Sequence, residues 1–295
     1  MQSLKLNLQS MLKRLGLYYR LKNSALYDLY WRVVDRRIVE ARNKELAFYR
    51  NFLKGFRTGD LIFDVGANEG VKTDVFLRLG ARVVSVDPDE FNQSVLREKF
   101  LLHRSTPKPV VIVGKALSDK STVETMWIDG PGSSVNTLSQ KWADTLKTNR
   151  DKFEHAHFGL EFARQKTVET TTLDDLIRLH GLPIFVKIDV EGYEVSVIRG
   201  LKQPVPFLSF EINLPEFRQE GLDCVRMLER LSTEGEFNYA SNLERGVLGT
   251  WIGAQEFSNL LGQCPEGTIE VFWRTPLCQK ETRAEMMEAL QSSQT

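Results

Sequence analysis

Cysteine, net charge and long apolar runs are all scarce in this sequence. Its three cysteines, Cys224, Cys264 and Cys278, form no C-x-x-C pair and have no companion histidines. Neither a zinc site nor a disulfide framework is therefore predicted, and we expect a reducing, cytoplasmic setting. Lysine plus arginine and aspartate plus glutamate both total 39, so the formal net charge is +0. A balanced chain lacks the basic footprint of a nucleic-acid-binding protein, and no nucleic-acid partner is expected.

The apolar runs are too short for a membrane protein. No segment approaches the roughly 20 apolar residues that cross a bilayer, so no transmembrane segment is predicted. Residues 1–22 are interrupted throughout by lysine and arginine, and they lack the apolar core of a secretory signal peptide.

Helical spacing of apolar residues predicts an N-terminal helical extension over residues 1–56. Its basic first part suits peripheral contact with a membrane, but packing against the main domain or a partner subunit is the interpretation we favour. An oligomer is therefore possible. A main domain over 57–280 and a C-terminal tail over 281–295 complete the predicted organisation.

From residue 61 the pattern alternates between strand and helix, which predicts an α/β fold with a doubly wound, mostly parallel sheet. The predicted strands are 61–65, 82–87, 110–114, 184–189 and 207–213, and the predicted helices are 71–79, 89–102, 173–180, 192–200, 222–233 and 254–261. The last third adds closing strands. The rhythm breaks between 115 and 172, where a hairpin, a flexible GPGSSVN loop and a polar helix reaching residue 166 are predicted. Within this break, residues 129–165 are predicted to form a lid-like insertion.

The segment LIFDVGANEG, residues 61–70, runs from a buried strand into a glycine turn before a helix. Such a turn holds a ligand against the carboxyl end of the sheet. The spacing from Gly66 to Gly70 is G-x-x-x-G rather than the G-x-G-x-x-G that seats a pyrophosphate. Asp64 and Glu69 would also repel a diphosphate. A ligand with a cationic amino group or sulfonium fits better, which points to S-adenosylmethionine.

A second acid, Asp87, ends the next strand about 20 residues after the turn. An acid at that place accepts hydrogen bonds from ribose hydroxyls. Because NAD enzymes share the feature, Asp87 indicates a nucleoside without separating the two cofactors. A Tyr-x-x-x-Lys pair typical of short-chain oxidoreductases occurs only upstream of the turn, at Tyr18 and Lys22, which disfavours that alternative.

DVGANEG, SVDPD, GKALSD and above all the linked segments TLDDLI and KIDVEGYE resemble the FkbM family of S-adenosylmethionine-dependent methyltransferases, over roughly residues 60–215. The resemblance implies a seven-stranded, Rossmann-like class I methyltransferase sheet. It also implies bound S-adenosylmethionine and, usually, O-methylation of a hydroxyl on a sugar, glycolipid or natural product. Two alternatives stay open: an NAD-dependent oxidoreductase of Rossmann type, and a non-catalytic subunit that binds S-adenosylmethionine.

The resemblance also implies site residues. The cofactor residues it implies are Asp64, Gly66, Ala67, Asn68 and Gly70 in the loop, Asp87 at the ribose, and Ala116, Leu117 and Ser118 at the adenine. Asp189 and Glu191 would face the sulfonium and a small-molecule or glycan acceptor, although capping of the next helix by either acid is an equally good explanation. Glu211, near the end of the following strand, is a third candidate for activating the acceptor. A divalent metal between such acids is possible, but no metal ligand is predicted.

Overall fold

The computed structural model describes residues 36–101, 103, 109–148, 160–241, 248–265 and 267–278. Most of the predicted N-terminal extension, residues 1–35, and the predicted tail, residues 281–295, lie outside these ranges. None of the described helices combines the length and the apolarity that a bilayer span requires.

Strands and helices alternate through most of the described chain. The strands are β1 (Leu61–Val65), β2 (Arg82–Val86), β3 (Val110–Val113), β4 (Ala116–Leu117), β5 (Val123–Ile128), β6 (Arg164–Thr171), β7 (Phe185–Ile188), β8 (Phe207–Leu214), β9 (Glu236–Ala240), β10 (Leu248–Gly253) and β11 (Gly267–Arg274). The helices are α1 (Arg36–Phe52), α2 (Val71–Leu79), α3 (Glu90–Lys99), α4 (Gln140–Thr148), α5 (Leu173–His180), α6 (Glu194–Arg199), α7 (Arg218–Leu231) and α8 (Ala254–Gln263), and a 3-10 turn follows at Pro276–Cys278.

Eight of the described strands form one sheet in the order β10-β9-β11-β8-β7-β1-β2-β3. Strands β3, β2, β1, β7 and β8 are parallel, and β11, β9 and β10 join them through antiparallel pairs. The chain moves outward from β1 to β3 and then returns to β7 on the other side of β1. This order confirms the predicted doubly wound, Rossmann-like sheet, and β10 extends it by one strand beyond the predicted seven.

Both faces of the sheet are covered, because successive side chains of a strand point to opposite faces. All five residues of β1 and all four of β7 are buried. Phe63 faces a core built with α5 and α7, whereas Ile62 faces a core built with α1 and α2. Continuous apolar runs of this kind are typical of parallel strands that are buried on both faces.

Helix α1 packs into the second of these cores. Tyr49 has no exposed surface, and its ring meets that of Phe76 in α2 edge-on at 5.0 Å. The ring of Phe52 lies 4.9 Å from that of Phe272 in β11. Residues 36–52 therefore show the packing against the main domain that the sequence favoured. The basic segment considered for membrane contact lies outside the described residues.

The insertion differs from the prediction in two places. Strand β5 pairs antiparallel with β6, and β4 pairs parallel with β6, so the predicted hairpin is wrong. The helix predicted to reach residue 166 is wrong at its end, since α4 stops at Thr148 and β6 begins at Arg164, with residues 149–159 outside the description. The sequence of β6 is largely polar, because the first four residues of this strand are exposed to solvent.

Helix α4 forms part of the main core. Trp142, Ala143 and Leu146 are buried, and the Trp142 ring meets that of Phe217 edge-on at 5.3 Å. The described part of the predicted lid-like segment therefore contributes to the main core.

Candidate functional site

A pocket opens at the carboxyl edge of the main sheet, where the strand order reverses between β1 and β7. Doubly wound sheets bind their ligands at this position. The pocket contains about 560 Å³ of space between its walls, including space open to solvent. Its lining includes Asn68, Asp87, Leu117, Asn136, Asp189 and Tyr193.

The glycine loop after β1 borders the pocket and contacts the loop after β7. Gly66 has a φ of 81°, and a β-carbon there would lie 1.7 Å from the Asp189 carbonyl oxygen. Only glycine permits such an approach. The amides of Gly66 and Ala67 both donate to the Val86 carbonyl, at 2.9 and 3.0 Å. These bonds hold the loop against β2.

Three of the predicted cofactor residues support this loop without lining the pocket. Asp64 is 1% exposed and accepts a hydrogen bond from the Thr73 hydroxyl at 2.5 Å, and burial raises its pKa. Ala67 is also buried. A β-carbon at Gly70 would lie 2.6 Å from the Leu96 side chain, which explains the glycine there. The contribution of these residues is the shape of the loop.

Asp87 is an acid of the pocket with three hydrogen-bond donors around it. Its carboxylate accepts from the amides of Asn68 and Asp89, at 2.8 and 2.9 Å, and from the Asn92 side chain at 3.3 Å. Burial nevertheless raises the pKa of Asp87 to about 6. The group is 5% exposed and still lines the pocket, so a ligand hydroxyl can donate to it.

The short strand β4 forms an apolar wall beside Asp87. Ala116 and Leu117 line the pocket, as predicted for the adenine end, whereas Ser118 is buried outside the lining. The Ser118 hydroxyl donates to Glu124 at 2.7 Å, and the Tyr193 hydroxyl donates to the same carboxylate. Ser118 is therefore connected to the pocket indirectly: it shares the Glu124 carboxylate with Tyr193, and Tyr193 lines the pocket.

Acids gather at the other end of the pocket, after β7. The Asp189 side chain is 33% exposed and accepts a hydrogen bond from the buried Lys187 ammonium at 2.8 Å. Glu191 has a φ of 54°, and its carbonyl accepts from the Thr137 hydroxyl at 2.7 Å. Burial, followed by the Asp189 and Glu211 carboxylates, raises the pKa of Glu191 well above its ordinary value.

Two further acids surround this end. Burial, followed by the Asp189 carboxylate, raises the pKa of Glu211 on β8 to about 8. Glu194 accepts from the amides of Val190 and Gly192, at 3.3 and 3.2 Å, and it is therefore the acid that caps the turn. In the described ranges, no group of three or more His, Cys, Asp or Glu residues is arranged to hold a metal ion.

Residues 130–137, which we call the bridging loop, connect the two ends of the pocket. The Asn136 side chain donates to Asp89 at 2.9 Å, and the Gly132 amide donates to the same oxygen at 3.2 Å. Thr137 supplies the bond to Glu191. The loop is thus hydrogen-bonded in place, where the sequence predicted a flexible hinge.

Several residues of the site were not predicted. Lys187 and Tyr193 lie within the KIDVEGYE segment, and Asn92 lies five positions after Asp87. All three are close in sequence to predicted site residues, and this proximity could have identified them. Asn136 and Thr137 carry no such signal, because their partners lie 47 and 54 positions away.

Comparison with known proteins gave matches of two kinds. The family model "Methyltransferase FkbM domain" matches residues 64–239. No curated protein matches the chain. A methyltransferase FkbM from Methylobacillus flagellatus superposes with a TM-score of 0.48 and 14% identity, over 78% of this chain and 47% of that one.

Two further solved structures are similar at lower identity. A SAM-dependent methyltransferase from Agrobacterium tumefaciens superposes with a TM-score of 0.38 and 9% identity, over 81% of this chain and 62% of that one. A TehB-like SAM-dependent methyltransferase from Corynebacterium glutamicum gives 0.38 and 11%, over 85% and 100%. The chain thus covers less than two thirds of the length of the first two structures. Since the family match spans more than half of the 295 residues, the chain belongs to the FkbM methyltransferase family.

Proposed function

We propose that the protein binds S-adenosylmethionine in this pocket and transfers its methyl group to a hydroxyl of an uncharged sugar, glycolipid or natural product. The observation that carries the proposal is a single pocket with the buried Asp87 carboxylate at one end and Asp189 and Glu191 at the other. The family membership supports methyl transfer, and the pocket chemistry supports this cofactor and this class of acceptor.

The pocket suits the proposed cofactor at both ends. Asp87 would accept hydrogen bonds from the ribose, and the Ala116–Leu117 wall would contact the adenine. At Gly66 the absence of a side chain lets the backbone after β7 approach the glycine loop, so that Gly66 and Asp189 line the pocket together. The half-buried carboxylate of Asp189 would accept a hydrogen bond from the α-amino group. A diphosphate would instead meet these acids with like charge, which favours S-adenosylmethionine over NAD.

S-adenosylmethionine supplies an electrophilic methyl group, so the protein has to align the acceptor and take up its proton. Glu191 lines the pocket, and Glu211, on β8, lies outside the lining. A general base works best when its pKa is near the operating pH. Glu191 is the one of these two acids that lines the pocket, and its raised pKa makes its carboxylate a stronger base for the hydroxyl proton.

The charges around the pocket favour an acceptor without negative charge. In the described ranges, Lys115 is the one basic residue that lines the pocket, and its ammonium is paired with Glu169 at 2.8 Å. Lys187, next to the pocket, is paired with Asp189. A phosphorylated or carboxylated acceptor would bring a further negative charge beside Asp189. A neutral polyol can instead donate a hydroxyl to Glu191.

Calorimetric titration with S-adenosylhomocysteine and with NADH tests the cofactor. We expect heat from S-adenosylhomocysteine alone, and binding of NADH alone would support the oxidoreductase alternative. Incubation with methyl-labelled S-adenosylmethionine and paired neutral and acidic sugars then tests the acceptor. Label should enter the neutral member of each pair. Cofactor binding with no transfer to any hydroxyl compound would favour a non-catalytic binding subunit.

A further inference from the structure

Lys187 is a charged side chain placed deep inside the sheet. It is 1% exposed, and in the described ranges it is the only lysine or arginine that is this deeply buried. The register places Lys187 beside Asp64 of β1 and Ser209 of β8, in the middle of the sheet. Its ammonium donates to Oδ2 of Asp189 at 2.8 Å.

Packing does not explain a lysine at this position. The residue two positions earlier, Phe185, and its register partner Phe207 are buried apolar side chains on the same face. Burying an ammonium is unfavourable even when it is paired, and an apolar side chain often replaces such a pair without loss of stability. The charge therefore serves its carboxylate neighbours Asp189, Glu270 and Asp64, and of these three only Asp189 is hydrogen-bonded to the ammonium and lines the pocket.

The position of Asp189 indicates which part of a ligand it meets. Asp87 follows β2, Gly66 follows β1 and Asp189 follows β7, in that order along the sheet. Two strand spacings, roughly 10 Å, therefore separate the two acids. A nucleoside held through its ribose at Asp87 would extend its sulfur substituent past Gly66 toward Asp189.

We propose that Lys187 is a positioning residue, which anchors Oδ2 of Asp189 so that the side chain presents Oδ1 to the α-amino group of S-adenosylmethionine. The inference rests on the proposed function. Without the ammonium, Oδ2 of Asp189 loses this hydrogen bond. The carboxyl group then rotates, and Oδ1 no longer faces the ligand amine.

Binding of two probes to the full-length protein tests this role. S-adenosylhomocysteine contains the amino-acid portion, whereas 5′-methylthioadenosine keeps the adenine, the ribose and the sulfur without it. For Lys187→Met we expect at least a tenfold loss of affinity for S-adenosylhomocysteine, with affinity for 5′-methylthioadenosine within twofold of the wild type. In an Asp189→Asn background, adding Lys187→Met should change S-adenosylhomocysteine affinity by less than twofold, because the two residues act as one unit.

Three results would overturn the inference: unchanged S-adenosylhomocysteine affinity, an equal loss for both probes, or the same loss in the Asp189→Asn background. If the Lys187→Met variant does not fold, the Asp189→Asn variant provides the test. It must lose affinity for S-adenosylhomocysteine and keep its affinity for 5′-methylthioadenosine. A wild-type protein that binds neither probe would instead refute the proposed cofactor. The two failures are therefore distinguishable.

Discussion

The two ends of the pocket use the same kind of side chain in opposite ways. At the β2 end, Asp87 accepts from two backbone amides and an asparagine. At the β7 and β8 ends, Glu191 and Glu211 share a crowded region with Asp189. Hydrogen-bond donors around a buried carboxylate favour its ionised form, which can hold a ligand through hydrogen bonds. Neighbouring carboxylates raise its pKa, so that it holds a proton instead.

The largest effect is expected at Gly66, where the loop after β1 contacts the loop after β7. We expect Gly66→Ala to lower the free energy of unfolding by more than about 3 kcal/mol, because overpacking adds to the strain of a left-handed residue. Gly59→Ala is the matched control: its φ is 91°, but a β-carbon there would meet nothing within 4 Å. Chemical denaturation should show a loss of roughly 1–2 kcal/mol for the control. Equal losses would show that the close approach to Asp189 is unimportant.

Asp87→Ala tests the ligand-holding end. Two hydrogen bonds to a charged acceptor contribute roughly 1.5–3 kcal/mol each, so affinity for S-adenosylhomocysteine should fall at least about tenfold. Affinity for 5′-methylthioadenosine should fall equally, in contrast to the selective loss expected for Lys187→Met. Glu90→Ala removes an equal charge from an exposed position nearby and should leave calorimetric affinities unchanged. Normal affinity in a folded Asp87→Ala variant would remove this residue from the site.

The proton-holding end should be visible in the pH dependence of stability. The pKa of Glu211 is raised to about 8, so the folded protein binds a proton that the unfolded chain releases at lower pH. The contribution of Glu211 is therefore fully present below its unfolded pKa and is lost as pH rises through 8. Denaturation between pH 5 and 9 should show a shallower decline for Glu211→Gln than for the wild type. The exposed control Glu256→Gln should keep the wild-type profile, and an unchanged profile for Glu211→Gln would contradict the assignment.

The smallest effect is expected where the bridging loop meets the acid end. The Thr137 hydroxyl donates to the Glu191 carbonyl and accepts from the Ser139 amide at 2.8 Å. Thr137→Val leaves both groups without this partner and should cost about 1–3 kcal/mol in unfolding free energy. Thr137→Ser keeps the hydroxyl and should cost clearly less. Similar values for both variants would attribute the effect to packing.

Sequence patterns predicted the central sheet well and the insertion poorly. The apolar runs of β1 and β7 identify buried parallel strands without any knowledge of their partners. Strand β6 has no such run, because its exposed half carries Arg164 to Thr167, and pairing with β5 and β4 makes it a strand. The site divides in the same way. Strand ends and glycine spacing locate Asp87 and Asp189, but they do not reveal Asn136 or Thr137.

The sequence by itself determined the alternation of strands and helices, the glycine turn and the acids that end β2 and β7, since each depends on residues close together in the chain. The difference between these two acids, Asp87 and Asp189, arises only in the folded structure. Packing of α1 and α2 buries Lys187 beside Asp189, and the bridging loop ties Asp89 to Glu191 through Asn136 and Thr137. The protonation and orientation of a carboxyl group depend on burial and on neighbours that are distant in sequence, which no local pattern records.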